Sequence, residues 1–319
     1  SWVLPDNAAD KRLFTSKDIR AQTGARSEKS VFRNSRFTNC DFYGGPDTPI
    51  SNLTFTGCSF IFCDFGTSTW SNAKFTSCKF SGCSFSQSTW IETEFRNCSW
   101  KDIGMSGNET IFDKVFISNP EKFISSAYTN RDTQLLIEHR TNLQFQLARL
   151  EETKATVSRN IFNNHKIVGD DETFYRSFST YSQQYIRSLR KSAAYDFVNN
   201  KENGRIPAAL RWTSAVFEGL LNRIFGYTTK WGSSASRPFA LLLSTFFLFS
   251  LIYYTFFSDS LTHAVQTSFD VTSIAGFTRS VDESVNGARY VISCINLSLS
   301  ILFYSAFFSV AISKISRTR

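Results

Sequence analysis

Phe75-Thr-Ser-Cys-Lys-Phe-Ser-Gly-Cys-Ser-Phe85 sets three phenylalanines five residues apart and places a cysteine two residues before each of the last two. Carried outward at the same interval, positions 55, 60, 65, 70, 75, 80, 85, 90, 95, 100 and 105 read Phe, Phe, Phe, Trp, Phe, Phe, Phe, Trp, Phe, Trp and Met. Two residues before these centres stand Leu53, Cys58, Cys63, Ser68, Ala73, Cys78, Cys83, Ser88, Thr93, Cys98 and Ile103, all small or apolar. A period of five is neither the 3.6 of a helix nor the 2 of a strand. It points to a solenoid, in which each unit buries its apolar groups only by stacking on its neighbours. The cysteines follow that rhythm and are therefore predicted to be wall residues. A buried free thiol behaves as a small hydrophobe, and neither a metal site nor a disulfide ladder is expected.

The pattern resembles the pentapeptide-repeat family. That resemblance implies a right-handed quadrilateral β-helix with four pentapeptides per coil, the large residue and the small one two before it both pointing inward. Residues twenty apart should then stack about 4.8 Å apart, as hydrogen-bonded strands do. Cys58, Cys78 and Cys98 would form one column, with Trp70 beneath Trp90. Phe32, Phe37 and Phe42 begin the rhythm, and its phase slips across residues 43–52, where Gly and Pro mark an inserted loop. It fades through Ile111-Phe-Asp-Lys-Val-Phe116, an irregular last coil. The expected division is a tail or cap over 1–30, the solenoid over 31–116, a cytoplasmic helical linker over 117–237 and a membrane domain over 238–319.

The 319 residues carry a net charge of +8, with 42% apolar residues and a mean hydropathy of −0.19, which suggests an ordinary soluble chain. The average conceals a segregation. Residues 238–257 contain no charge over a length that spans about 30 Å as a helix, and residues 290–312 form a second uncharged run. Arg223, Lys230 and Arg237 precede the first run, and Lys314, Arg317 and Arg319 follow the second. By the positive-inside bias, the chain is expected to be a multi-pass protein of the cell (inner) membrane, with both ends cytoplasmic. Residues 31–116 hold seven Lys or Arg and eight Asp or Glu, so the overall positive charge fits membrane anchoring, and no nucleic-acid partner is expected.

Between the two modules, residues 131–152 are helical in type, with Leu136, Leu143, Leu147 and Leu150 on one side. Phe174, Phe178, Tyr181, Tyr185, Leu189 and Phe197 mark an amphipathic helix or hairpin over 170–199. A third amphipathic segment, residues 211–231, ends in Gly226-Tyr-Thr-Thr-Lys-Trp-Gly232 just before the first span. It suits either a membrane interface, where Trp and Tyr settle, or ordinary docking.

The thirty or so residues between the spans exceed what a simple hairpin needs. Leu261–Thr272 reads as a short helix and Ser273-Ile-Ala-Gly-Phe-Thr-Arg279 as an extended segment, the order of a re-entrant loop over 261–279. Here the sequence resembles the pore domain of the two-helix potassium-channel superfamily, and residues 30–319, through Phe174-Tyr175, the helical stretch beyond it and the Gly226-Tyr227 to Ser236-Arg-Pro238 approach to the first span, resemble bacterial proteins that join pentapeptide repeats to such a pore. The resemblance implies a homotetramer. It puts Ile274, Ala275, Gly276, Phe277 and Thr278 at the filter positions and Asp270 where such pore helices often carry an acid. Gly276 and Phe277 agree with the superfamily filter. Ile274 lacks the coordinating hydroxyl, and Thr278 replaces a glycine whose positive φ a side chain disfavours, so weak selectivity is expected. In the second span Ser293, Asn296, Ser300, Tyr304, Phe307 and Ala311 fall on one face and are predicted to line the pore, with Phe307 as an apolar constriction. Ser298, Ser305 and Ser309 make a rival face.

His139, His165 and His263 are scattered, and no nucleophile motif, phosphate loop or metal cluster is present, so no enzyme, catalytic residue or cofactor is expected. The sequence therefore points to a mixed fold and an oligomeric ion channel gated through a cytoplasmic sensing or docking domain, whose partner is a protein or small ligand. The alternative is a membrane-anchored scaffold without conduction.

Overall fold

The computed structural model describes residues 2–3, 9–15, 17–20, 30–106, 109–127, 143–199, 205–258, 260–273 and 287–317. They form two units, Ser1–Leu220 and Leu221–Arg319.

The first unit opens with a β-solenoid of about five turns. Its strands stack in parallel in four sheets of three, five, four and six strands. In one sheet Phe55, Phe75 and Phe95 are in register; in the next, Phe37, Phe60, Phe80 and Trp100; in a third, Ile50, Trp70 and Trp90. The stacked rings lie 4.7 to 5.1 Å apart, Phe80 on Trp100 the closest and Trp70 on Trp90 the widest of these. That is the backbone repeat of the ladder seen through its side chains. Phe55, Phe60, Phe65, Phe75, Phe80 and Phe85 are all buried, as are the cysteines of the repeat.

The corners have a recurring conformation that the sequence pattern had not shown. At most described corners the residue two after the centre takes positive φ: Asn34, Asn39, Asn52, Gly57, Asn72, Gly82 and Asn97, but also Phe62, Thr67, Ser77, Gln87, Glu92 and Asp102. Asn and Gly tolerate this region, while a β-branched or bulky residue there is strained. Gly82 has a second reason to be glycine, because a Cβ would come within 2.5 Å of the Phe62 ring of the preceding coil.

The loop predicted over 43–52 shifts the register: Phe42 stacks on Phe65, twenty-three residues on, whereas Ile50 pairs with Trp70, twenty on. The fading last coil is also present, with Ile111–Asp113 and Phe116–Ile117 completing two of the sheets. The expectation of a tail or cap over 1–30 needs correction. Phe14 pairs with Phe37 and stacks on it at 4.6 Å, Ile19 pairs with Phe42, and Ala9 with Phe32. Ala9, Phe14 and Ile19 are themselves five apart. The rhythm was present in the tail but was carried by too few large residues to stand out.

The helices of the first unit are α1 (Pro120–Ser126), α2 (Leu143–Val168), α3 (Asp171–Asn199) and the start of α4 (Arg205–Thr229). Residues 131–142 of the first predicted helix lie outside the described residues. Helix α2 continues past the expected end at 152 because Val157 and Ile161 join the solenoid core. It stops at Gly169, and Asp170 caps α3 by accepting hydrogen bonds from the Thr173 N–H (2.8 Å) and hydroxyl (2.7 Å). Those two bonds hold the Asp170 carboxyl below its usual range. Across the α2–α3 hairpin, Phe162 meets Phe174, Phe178 and Tyr181 with ring centroids 5.4 to 5.9 Å apart. Helix α4 begins six residues before the predicted segment, with Pro207 in the first turn, where a missing N–H leaves no gap.

The second unit contains the end of α4, then α5 (Ser236–Phe257), α6 (Leu261–Thr272) and α7 (Gly287–Arg317). Helices α5 and α7 are long and apolar enough to cross a membrane. Both outrun the uncharged runs, α7 at each end, because a helix continues through flanking polar residues once its hydrogen-bond ladder is set.

Candidate functional site

Helices α5, α6 and α7 carry the constellation on which a pore would depend. Their polarity is inverted relative to the solenoid. Thr245, Ser250, Thr267, Ser268, Thr272, Ser293, Asn296 and Ser300 are buried, while Phe247, Leu251, Phe256 and Phe308 are more than half exposed. An apolar exterior over a hydroxyl-rich seam is what a hydrocarbon solvent selects. Lipid tails reward no burial of apolar groups, whereas every polar group must find a partner inside.

The seam is specific. Tyr253 and Ser293 join their hydroxyls at 3.0 Å between α5 and α7. The Ser268 hydroxyl of α6 donates to the Phe246 carbonyl at 2.8 Å, and the Thr272 hydroxyl donates to Asn296 Oδ1 at 3.3 Å. Ser300 donates to the same Oδ1 at 3.4 Å. Phe249 and Tyr253 of α5 enclose Ala264 of α6. Counted along the helices, Phe246 lies eleven residues before the end of α5 at Phe257, and Asn296 nine after the start of α7 at Gly287. At 1.5 Å per residue, Ser268 therefore meets α5 about 17 Å from its end at Phe257, and Thr272 meets α7 about 14 Å from its start at Gly287.

Of the predicted site residues, Asp270 is half-buried near the end of α6. Ile274, Ala275, Gly276, Phe277 and Thr278 lie outside the described residues, as does His139. Of the residues predicted to line a pore, Ser293 bonds α5 and Asn296 bonds α6 of their own chain, and Ser300 is buried with its hydroxyl on Asn296. Tyr304, Phe307 and Ala311 are half-buried, Phe307 with its ring 6.0 Å from that of Phe239. The outer face of α7 carries Ser298, Ser305 and Ser309. The projection that grouped Ser293 with Asn296 and Ser300 found a genuine face. Whether it met a neighbour or an axis depended on α6, which a projection of α7 alone leaves out.

His165 and Asn164 are functional in a way the sequence had not shown: they close the open end of the solenoid. Asn164 accepts from the Val115 N–H at 2.9 Å and donates to the Phe112 carbonyl at 3.0 Å, while His165 Nε2 accepts from the Ile117 N–H at 3.0 Å. An unpaired sheet edge invites another strand, and here side chains of α2 occupy it. Because Nε2 accepts, the neutral ring keeps its proton on Nδ1. Burial pushes the His165 pKa down to about 4, against weaker opposing effects of Thr173 and Asp170. His263 is exposed on α6.

The cysteine columns form as predicted. Cys58, Cys78 and Cys98 donate their thiols to the Phe32, Phe55 and Phe75 carbonyls at 3.4 Å. The neighbouring Cys78 thiol, followed by burial, pushes the Cys58 thiol well above its usual range, so it is protonated and unreactive as a nucleophile. All seven cysteines are free.

These features define a pentapeptide-repeat solenoid followed by helices, two of them able to cross a membrane. A family model for pentapeptide repeats matches residues 54–89 with eight copies. Among solved structures the chain is similar to QnrB1, a plasmid-mediated fluoroquinolone resistance protein. The identity is 25%, the match covers 32% of this chain and 49% of that one, and the TM-score is 0.26. The match thus spans about half the length of that protein. No curated protein matched the chain.

Proposed function

We propose that the chain is a subunit of an oligomeric ion channel, four copies around one axis in the cell (inner) membrane with both termini cytoplasmic. The solenoid, taken as a right-handed quadrilateral β-helix in keeping with its four sheets, serves as the sensing or docking module for a cytoplasmic protein or small ligand. Residues 117–237 carry its state to the pore. The observation that supports this reading is the packing of α6 between its neighbours, with Ser268 on the Phe246 carbonyl halfway along α5 and Thr272 on Asn296 a third of the way along α7. A connector that only joined two anchors would have no reason to return that far. A short helix inside the bilayer is tolerated where protein or water surrounds its end.

On this reading α6 is a pore helix, and the segment after it, Ile274 to Thr278, forms a filter of weak selectivity. The internal bonds of Ser293, Asn296 and Ser300 favour the rival face, Ser298, Ser305 and Ser309, as the residues of α7 that meet water along the conduit, with Tyr304, Phe307 and Ala311 turned to the other side of the helix. Purified protein in planar bilayers should conduct, with little preference between potassium and sodium under bi-ionic conditions. Subunit counting in nanodiscs should give four. A monomer or dimer that passes no current would replace the channel with a membrane-anchored scaffold.

A further inference from the structure

Helix α4 presents an apolar sector that no described residue covers. Leu210, Phe217, Leu220 and Leu221 fall within a sector of about 100° on the helical projection, and each is strongly exposed, Phe217 at 60%. The opposite side is the one that packs: Ala215 is buried, and a Cβ at Gly219 would come within 3.1 Å of Ile186. The exposed sector is therefore not the docking face of the helix. Tyr227 and Trp212, residues that settle at headgroup depth, are also exposed.

Charge decides the occupant. Arg223 lies beside the sector, and Lys230 and Arg237 follow at steps of seven; all three are exposed, and no described carboxylate pairs with them. Between Gly219 and Ser258 the sequence contains no Asp or Glu at all. A second copy docking through this face would bring the same cations with nothing to meet them, whereas anionic headgroups would neutralise them. Distance agrees. Only residues 230–235 separate the end of α4 from α5, a reach of roughly 20 Å at most. The turn is locked by Lys230, Trp231 and Gly232 at positive φ and by the Gly232 N–H on the Thr229 hydroxyl at 3.0 Å.

We infer that α4 lies in the cytoplasmic headgroup layer, its Leu210–Phe217–Leu221 face immersed among acyl chains and Arg223, Lys230 and Arg237 bound to anionic lipid phosphates. This rests on the proposed membrane crossing of α5. The test uses the full chain in nanodiscs of phosphatidylcholine, with and without phosphatidylglycerol. Nitroxide labels are placed singly through Phe217→Cys, Leu221→Cys, Glu218→Cys and Leu251→Cys in a Cys294→Ser background. Labels at 217 and 221 should favour oxygen over a water-soluble nickel chelate and the label at 218 should show the reverse, with the contrast deepening when phosphatidylglycerol is present. The combined Arg223→Gln, Lys230→Gln and Arg237→Gln variant should lose that lipid dependence. Nickel access at 217 and 221 would overturn the inference, as would dipolar broadening there, which marks a second copy, or equal depth in both lipids. The label at 251 separates the failures. If it stays in lipid while those at 217 and 221 do not, only this inference falls; if it too meets nickel, the crossing falls and takes the inference with it.

Discussion

The solenoid and the α5–α7 helices solve opposite problems with the same residue types. In the solenoid the central phenylalanines point inward and form the core, and backbone hydrogen bonds run between coils. In the helices Phe247 is 66% and Phe256 74% exposed, the hydroxyls of Ser268 and Ser293 lie inside, and the backbone bonds stay within each helix. The side chain that drives burial in water is indifferent in hydrocarbon, where an unpaired hydroxyl becomes the expensive group. The solvent, more than the residue, decides which face is a core. The contrast also separates sources of stability: stacked rings in one region, a few polar links in the other.

Perturbing the rings should give the largest effect. Phe75 is fully buried between Phe55 and Phe95, so Phe75→Ala should cost about 3–5 kcal/mol in chemical denaturation of the first unit's transition. A loss under 1 kcal/mol would break the comparison outright.

Next is pH. The folded His165 pKa, about 4, lies below the unfolded value near 6.5, so the unfolded chain holds the extra proton between the two. Stability should be fully present above pH 6.5 and should fall by about 3 kcal/mol as the pH drops to about 4, since a protonated Nε2 can no longer accept from Ile117. A His165→Gln variant should flatten that part of the profile.

Third comes a polar link inside the apolar core. Ser68 and Ser88 accept from the Trp70 and Trp90 indoles at 2.9 and 2.7 Å. Trp100 follows a cysteine in the same relative place, and its indole nitrogen has no partner among the described residues. Ser88→Ala should therefore cost about 1–3 kcal/mol by leaving the Trp90 N–H unpaired. At a corner, Thr67 holds φ at 54°, and Thr67→Asn should add about 1 kcal/mol of thermal stability by relieving a β-branched residue of that conformation.

The smallest change is expected among the helices α5–α7. Ser268→Ala should cost only about 0.6 kcal/mol in bicelle refolding, the usual worth of an interhelical hydroxyl bond in lipid. A cost as large as that of Ser88→Ala would show that the helices sit in a solvent unlike hydrocarbon.

The solenoid was legible in the sequence almost residue by residue, because a five-residue period leaves only the stacking of neighbours as a way to bury Phe55 through Met105. What escaped was the first turn, where small Ala9 leaves only Phe14 and Ile19 to carry the period, and whatever depended on a remote segment, such as Asn164 and His165 sealing strands some fifty residues earlier in the chain. In the second unit the uncharged runs marked the two long apolar helices, and the helical pattern of residues 261–272 marked the short one between them.

Composition and spacing by themselves determined the coil repeat, the inward cysteines, the two long apolar helices and the short helix that follows the first. Only the tertiary structure decided which polar face of α7 is spent inside the chain, how far along α5 and α7 the short α6 packs, and which side of α4 stays open. Spacing along one element shows which residues share a face, but what that face meets is set by elements distant in sequence, whose contacts no local period records.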